Sequence, residues 1–516
     1  MASALLNPAR RRAIPSAANF VRTAATATKP SSTQKRAGDI SDAFASLSGQ
    51  EFKPLDPSYA LLKKNLIAGH EDAVRASWDR LLKTLQNEVA TIVASGSNVI
   101  PEVEYSDIAK AQVSKQFEEE HRKRGVAIVR GVIDEKEILG WKEELREYIR
   151  RNPHTKGKCL ASATFPADNP QVYELYWSPA QMRARTHANL LQAQRYILSF
   201  WHSRLPSANV SLAHPTAYAD RLRMRLPGDA RFALGPHVDG GSVERWDPAG
   251  YGRGGVYDAV WQGKWEEFDP WESSCRLDAI SDLHAGVGAC SMFRMSQGWL
   301  SMSNTGPFEG TLLVNPLLAK ATAYYLLRPF FTPKKPPTDP KSEVFEPAFL
   351  DPSNWTMEPE PSSWIQGATP GHGQELRAAL HPHLDLSRTM VHVPRVKPGD
   401  YVVWHCDTIH AVDKVHAGSS DSSVLYIPTC PLTVENAKYL AKQRQNFLEG
   451  IPSPDFGGGE GESNHIGRHT VEEAAAYSGP EGLRAMGLLK WDDEASGLSL
   501  GEKATLRKAN EALGFA

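Results

Sequence analysis

The sequence predicts an α+β fold, a double-stranded β-helix (jelly-roll) core held between N- and C-terminal helical flanks. Three observations carry this expectation. Apolar residues at helical spacing dominate residues 73–202, short β-branched runs separated by Gly, Pro and Asp turns dominate the middle of the chain, and helical spacing returns after Thr433. No internal repeat interrupts this progression. The expected regions are therefore 50–205 (N-terminal helices with a strand), 206–432 (the core, with an insertion at 329–390) and 433–516 (C-terminal helices).

Taken in order, Ala73–Val93 places Val74, Trp78, Leu81, Leu82, Leu85, Val89 and Ile92 at helical spacing and predicts a long amphipathic helix. Gly125–Ile133 is a β-branched strand run. Asp134 caps a helix through Ile149, ended by Asn152-Pro153. Ser178-Pro179, an N-cap followed by proline, opens a helix to about His202. Arg221, Arg223 and Arg225 alternate with Leu222, Met224 and Leu226, which predicts a strand with one wet or polar face. Trp246–Ile280, rich in Gly, Trp and Asp, predicts an irregular wall. Strands are expected at Gly298–Ser303 and Gly310–Val314 around the turn Asn304–Glu309, followed by a helix at Leu317–Leu327. The proline-crowded residues 329–363 read as a long surface insertion. Met390–Val396, Tyr401–Trp404, Ile409–Val412 and Ser423–Ile427 read as further strands, with Pro398-Gly399-Asp400 as a turn. A helix from Thr433 to Phe447, a glycine link at 457–459 and a capping box at Thr470–Glu473 complete the pattern.

Composition bounds the function. Of 516 residues, 41% are hydrophobic and 23% charged, which suits a globular enzyme with a large core. A net charge of -2 leaves no electrostatic footprint for nucleic acid or anionic membrane, and no apolar run is long enough to span a bilayer; a small-molecule substrate is expected. The cysteines (Cys159, Cys275, Cys290, Cys406, Cys430) are odd in number and never spaced as Cys-x-x-Cys, which argues for a reducing compartment and against a disulfide framework or a thiolate zinc site. Residues 1–38 depart from this balance: they are rich in Arg, Ala, Ser and Thr and hold no acid before Asp39. That is the composition of a mitochondrial transit peptide, so a mitochondrial location is expected, with a disordered basic tail on a cytoplasmic protein as the alternative.

The chemistry concentrates on His237-Val238-Asp239. His-x-Asp also begins at His70, His383 and His405, so the triplet alone decides nothing. This copy has Gly235-Pro236 before it and Gly240-Gly241 after it, which lets backbone or a small ligand approach closely. Residues i and i+2 of a strand share a face, so His237 and Asp239 can reach one metal ion. A mononuclear Fe(II) oxygenase site needs two histidines and one carboxylate; Pro398–Val412 offers His405 and His410 for the remaining place. His381, His383, His392 and His416 read as surface or loop residues.

The order His237-Val238-Asp239, Gly310–Pro316, Pro398-Gly399-Asp400 and His410 resembles the phytanoyl-CoA hydroxylase-like branch of the Fe(II)/2-oxoglutarate-dependent dioxygenase superfamily. The strings Gly235–Trp246 and Trp404–Val412 also resemble a bacterial and fungal family known as domain of unknown function 1479, and this closer resemblance spans most of residues 50–450. The resemblance implies His237, Asp239 and His410 as iron ligands and catalytic centre. His405 is the rival, or else a hydrogen-bonded core histidine beside Trp404. It further implies Fe(II) as cofactor, 2-oxoglutarate and O2 as co-substrates, and hydroxylation or demethylation of a small organic molecule. Two positions depart from the pattern. Pro316-Leu317-Leu318-Ala319 replaces a usual Pro-Gly-Ser-His, and no Arg or Lys lies between Lys414 and Lys438, where such enzymes carry the arginine for the far carboxylate of 2-oxoglutarate. Either another cation serves, or the co-substrate is not 2-oxoglutarate. Arg225-Leu226-Pro227-Gly228 resembles a Lys-x-Pro-Gly string of some relatives, which implies Arg225 first and Arg223 second, with Arg294, Arg328 and Arg395 in reserve. A cupin-like metal enzyme without 2-oxoglutarate and a non-catalytic barrel protein are the alternatives.

Overall fold

The structure, a computed structural model, describes residues 43–49, 52–155, 171–230, 233–457 and 459–515. The expected targeting segment at 1–38 lies outside these residues, as do Cys159, Phe232 of the apolar run before the triplet and Gly458 of the glycine link.

Local rules account for most boundaries. The first long helix, Glu71–Ser95, buries Val74, Trp78, Leu81, Leu82, Leu85 and Ile92 on one face. After β1 (Glu102–Glu104) and β2 (Val126–Arg130), Asp134 accepts hydrogen bonds from the N–H groups of Lys136 and Glu137 and starts the helix Glu135–Arg151. β3 (Val172–Tyr173) follows. The helix expected from Ser178 to about His202 is in fact two, Pro179–Thr186 and Ala188–Leu198. His187 takes an extended conformation between them (ψ 129°), its ring facing Trp141 and Tyr477, so tertiary packing overrides a continuous helical pattern. Strands β4 (Val210–Thr216), β5 (Leu222–Arg225) and β6 (Leu234–Val238) lead into an irregular stretch of short helical turns. Then come β7 (Ser296–Ser301), β8 (Leu312–Val314), the helix Leu318–Leu327, β9 (Phe331–Pro333), β10 (Trp355–Met357), β11 (Gln374–Glu375), β12 (Val391–His392), β13 (Tyr401–His405), β14 (His410–Val412), β15 (Ser422–Tyr426) and β16 (Cys430–Thr433). Helices Val434–Glu449, Val471–Ala485 and Leu500–Ala512 follow, the last two both opened by capping boxes, at Thr470 and at Ser499.

The architecture is mixed α/β with several sheets. A seven-stranded sheet runs β1-β2-β13-β7-β15-β5-β3, and a five-stranded sheet runs β11-β6-β14-β8-β12. Only the β1–β2 pair in these sheets is parallel among the described residues. From β5 to β8, and again from β12 to β15, each strand lies in the other sheet from its predecessor. Val402, Trp299 and Val424 of the larger sheet share one core with Val238, Leu312 and Val314 of the smaller. The opposite face of the larger sheet, with Leu222, Met224, Leu300, Tyr401 and Val403, packs with Trp141, Leu145, Leu190 and Ile197 of the helices.

Two expectations need correction here. Of the wet or polar face expected on β5, the wet alternative falls and the polar one stands: Arg223 is 4% exposed and Arg225 is fully buried, because the larger sheet is covered on both sides. The stretch 329–363 is not surface padding either. β9 and β10 pair, and Phe330, Phe331, Phe345, Phe349 and Trp355 enter the main core. Trp78 stacks on Phe331 with ring centroids 4.4 Å apart. The prolines shape the turns, and the aromatics between them supply the buried surface. His381 and His383 are likewise core residues, and burial pushes each down to about 3.

Candidate metal centre

β6 and β14 are antiparallel neighbours with His237 opposite His410, so the two imidazoles share a face, ring centroids 4.1 Å apart. Asp239 is the residue just past β6. Its position depends on the turn that follows: Gly241 has φ 78°, and a Cβ there would lie 2.4 Å from the Ser281 carbonyl oxygen. The wholly buried Arg245 donates to the carbonyls of Asp239 (2.6 Å), Gly240 (3.3 Å) and Gly241 (2.5 Å), which pins the turn from behind. Trp246 is core, its indole N–H donating to the Leu326 carbonyl.

Each histidine is oriented by its own backbone. His237 Nδ1 lies 2.7 Å from the Gly235 carbonyl and His410 Nδ1 lies 3.1 Å from the Thr408 carbonyl. A carbonyl can only accept, so Nδ1 carries a proton in both rings and Nε2 is the nitrogen left to ligate a metal. Those Nε2 atoms point at Asp239: 3.6 Å from His237 to Oδ1 and 3.9 Å from His410 to Oδ2. One donor atom from each of the three residues falls within 4.8 Å of the others. Burial pushes His410 down to about 3, with His237 adding to the effect, so its ring is neutral. Burial alone would push the Asp239 carboxyl up, but His410, His237, Arg294 and a hydrogen bond from Gln297 outweigh it and the net shift is downward. The donor set is thus two imidazoles with anchored Nδ1 atoms and a carboxylate on one side of a common point, which fits a divalent first-row ion with positions left open. The Asp239 side chain is 33% exposed against 4% and 6% for the histidines, so access is from the carboxylate side.

His405 sits elsewhere in the packing. Its Nε2 faces the Pro270 carbonyl at 2.9 Å, its Nδ1 accepts from the Asp407 N–H, and its ring stacks on Trp201 at 4.6 Å. The neighbouring group His405, Cys406 and Asp407 also clusters, yet Asp407 is held by Arg276 (2.5 Å) and Tyr257, and burial pushes the Cys406 thiol up to about 12. These are structural engagements.

Of the arginines, Arg225 donates to the Asp229 carboxylate (2.7 Å) and to the carbonyls of Asp229, Asp413 and Lys414. Arg223 donates to the Gly310 carbonyl and to Tyr426. Arg328 lies over the Trp355 ring, and Arg395 forms a bidentate pair with Glu309 at the surface. Arg294 is the cation beside the three: its Nη2 is 3.9 Å from Asp239 Oδ2, and among the described residues its guanidinium makes no hydrogen bond. Burial opposes its charge, but Cys290, Tyr218, Asp239 and Asp220 outweigh that and raise its pKa. No local pattern marks Arg294 in the sequence; the strand β7 that follows it brings it in. A second residue without a sequence signal is Phe44, edge-on to His237 at 4.6 Å.

Known proteins share this fold. The chain matches the Gig2-like family over residues 53–488 and belongs to that family. The GlcNAc Inducible Gene 2 protein of Candida albicans is 30% identical, with a TM-score of 0.77 over 90% of this chain and 96% of that one. The protein YbiU of Escherichia coli strain K12 is 30% identical over 410 residues, 78% of this chain and 88% of that protein. A Salmonella typhimurium LT2 protein that carries the provisional name of oxidoreductase is 29% identical, with a TM-score of 0.70 over 85% of this chain and 99% of that one.

Proposed function

We propose that this member of the Gig2-like family is an Fe(II)- and 2-oxoglutarate-dependent dioxygenase that hydroxylates or demethylates a small organic molecule. The observation that carries the reading is the convergence of two Nδ1-anchored histidines on Asp239 from adjacent strands. We read β5, β6, β7, β8, β12, β13, β14 and β15 as the eight strands of a jelly-roll, because their alternation between sheets is the winding such a fold requires. Within the wider superfamily we place the chain near the phytanoyl-CoA hydroxylase-like branch, on the order of His237, Asp239, Pro398–Asp400 and His410. The oxidoreductase name of the Salmonella relative is consistent with this class of chemistry.

His237, Asp239 and His410 would hold the iron. Bound there with 2-oxoglutarate and O2, it would supply an oxidant able to attack an unactivated C–H bond. The protein's own contributions follow from the geometry. The Gly235 and Thr408 carbonyls fix the tautomers, Arg245 fixes the Asp239 backbone, and the open side of Asp239 admits ligands. For the far carboxylate of 2-oxoglutarate we place Arg294 ahead of Arg225 and Arg223, because its half-buried guanidinium lies 3.9 Å from Asp239 and makes no hydrogen bond among the described residues, so an incoming anion would complete it, whereas Arg225 already engages Asp229. Incubation with Fe(II), 2-oxoglutarate and O2 should yield succinate above the level of an Asp239→Ala control. Co-substrate left untouched by an iron-loaded wild type would favour the cupin-like alternative. We place the protein in mitochondria on the composition of residues 1–38; a reporter fused behind them that stays in the cytosol would remove that part.

A further inference from the structure

Ala43–Gly49 is far from the metal ligands in sequence, yet it closes over one of them. Phe44 is 5% exposed and Ala45 1%, and the Phe44 ring meets the His237 ring at 67°. Two long-range hydrogen bonds seat the segment: the Gly373 N–H donates to the Ala43 carbonyl (2.9 Å) and the Ser46 N–H donates to Glu375 Oε1 (3.0 Å). The N–H groups of Leu47 and Ser48 both turn back onto the Phe44 carbonyl, so the ring is presented from a tight turn. Its seat is close against Gly373: a Cβ there would lie 3.0 Å from the Phe44 ring, tight enough to displace it by a few tenths of an ångström. Glu375 is no remote anchor, since in β11 it is the register partner of His237. The segment therefore touches the ligand through Phe44 and the ligand's strand partner through Ser46. Under this cover His237 is 3% exposed.

We propose that Ala43–Gly49 is a strap over the metal centre and that Phe44 is a positioning residue, holding the His237 ring with Nε2 toward Asp239 and keeping water from it. The proposal rests on the reading of His237, Asp239 and His410 as metal ligands. One buried ring and two long-range hydrogen bonds oppose the cost of ordering the whole segment, so the strap is a part of the fold that can open on its own. Linkage then applies: whatever the closed strap adds to metal retention, bound metal adds to strap closure.

The test uses the full-length chain and Co(II) alone as probe. Wild type, Phe44→Ala and Phe44→Leu are loaded, and loss of the visible Co(II) absorption is followed after adding EDTA. Phe44→Ala should release metal about tenfold faster than wild type, as expected for loss of a group that orients a ligand, and Phe44→Leu should stay near wild type. In the wild type, chymotryptic cleavage after Phe44, read by mass spectrometry, should slow when Co(II) is bound; this arm decides the matter if Phe44→Ala does not fold. Equal release from Phe44→Ala and wild type, or cleavage indifferent to Co(II), overturns the strap while leaving the metal site standing. A wild type that takes up no Co(II) overturns the metal reading, and the strap with it.

Discussion

Asp239 is where the site's charge and geometry meet. Asp239→Ala removes the hard anionic donor between the two imidazoles, and Fe(II) affinity by equilibrium dialysis should fall at least about 100-fold, more than loss of an outer-shell partner costs. His405→Ala should keep its metal, because both ring nitrogens already have partners in the core. Iron lost from the His405 variant but kept by a His410→Ala variant would reverse the assignment. Arg294→Ala should retain iron yet raise the 2-oxoglutarate requirement about tenfold or more, the loss of a charge-assisted contact worth about 1.5–3 kcal/mol. Arg225→Ala should act on stability instead: it strips a guanidinium from the buried Asp229 carboxylate, at a cost of about 3–5 kcal/mol in urea denaturation. A stable Arg225 variant with weakened 2-oxoglutarate binding, beside an unaffected Arg294 variant, would move the anchor back to β5. The residues brought together as a possible triad were legible in the sequence because two of them lie in one triplet and the third follows a recognisable turn. Arg294 was legible only as one of three reserve arginines and Phe44 not at all, since each reaches the site only through tertiary packing.

At the scale of elements, period and capping carried far. The strands at Ser296–Ser301 and Tyr401–His405 and the helix Glu71–Ser95 stand close to where alternation and helical spacing put them. The misjudged elements share a cause: burial that local pattern does not encode. The break at His187 and the packed stretch after Pro329 are both fixed by aromatic neighbours distant in sequence. Trp78 tests the second directly. It is fully buried, stacks on Phe331, and its indole N–H has no hydrogen-bond partner among the described residues, so its contribution is packing. Trp78→Ala should cost about 3–5 kcal/mol in equilibrium denaturation. A loss under about 1 kcal/mol would mean that the 329–363 stretch is loosely held after all.

For the whole molecule, the same buried aromatic packing has a pH consequence away from the metal site. Burial pushes His121 down to about 4 and His381, His383 and His405 to about 3. In the unfolded chain each would titrate near about 6.5, so between these values the unfolded state binds more protons than the native one. Stability is therefore fully present above about pH 6.5 and falls as pH drops toward about 4, by roughly 1.4 kcal/mol per pH unit for each histidine. A denaturation midpoint unchanged between about pH 7 and about pH 5 would contradict this. The central claim, that His237, Asp239 and His410 hold an iron to which 2-oxoglutarate binds, is met most directly by an anaerobic titration. Fe(II) followed by 2-oxoglutarate should produce a saturable visible charge-transfer band in the wild type and none in Asp239→Ala. No band from a wild type that holds Fe(II) would contradict the account.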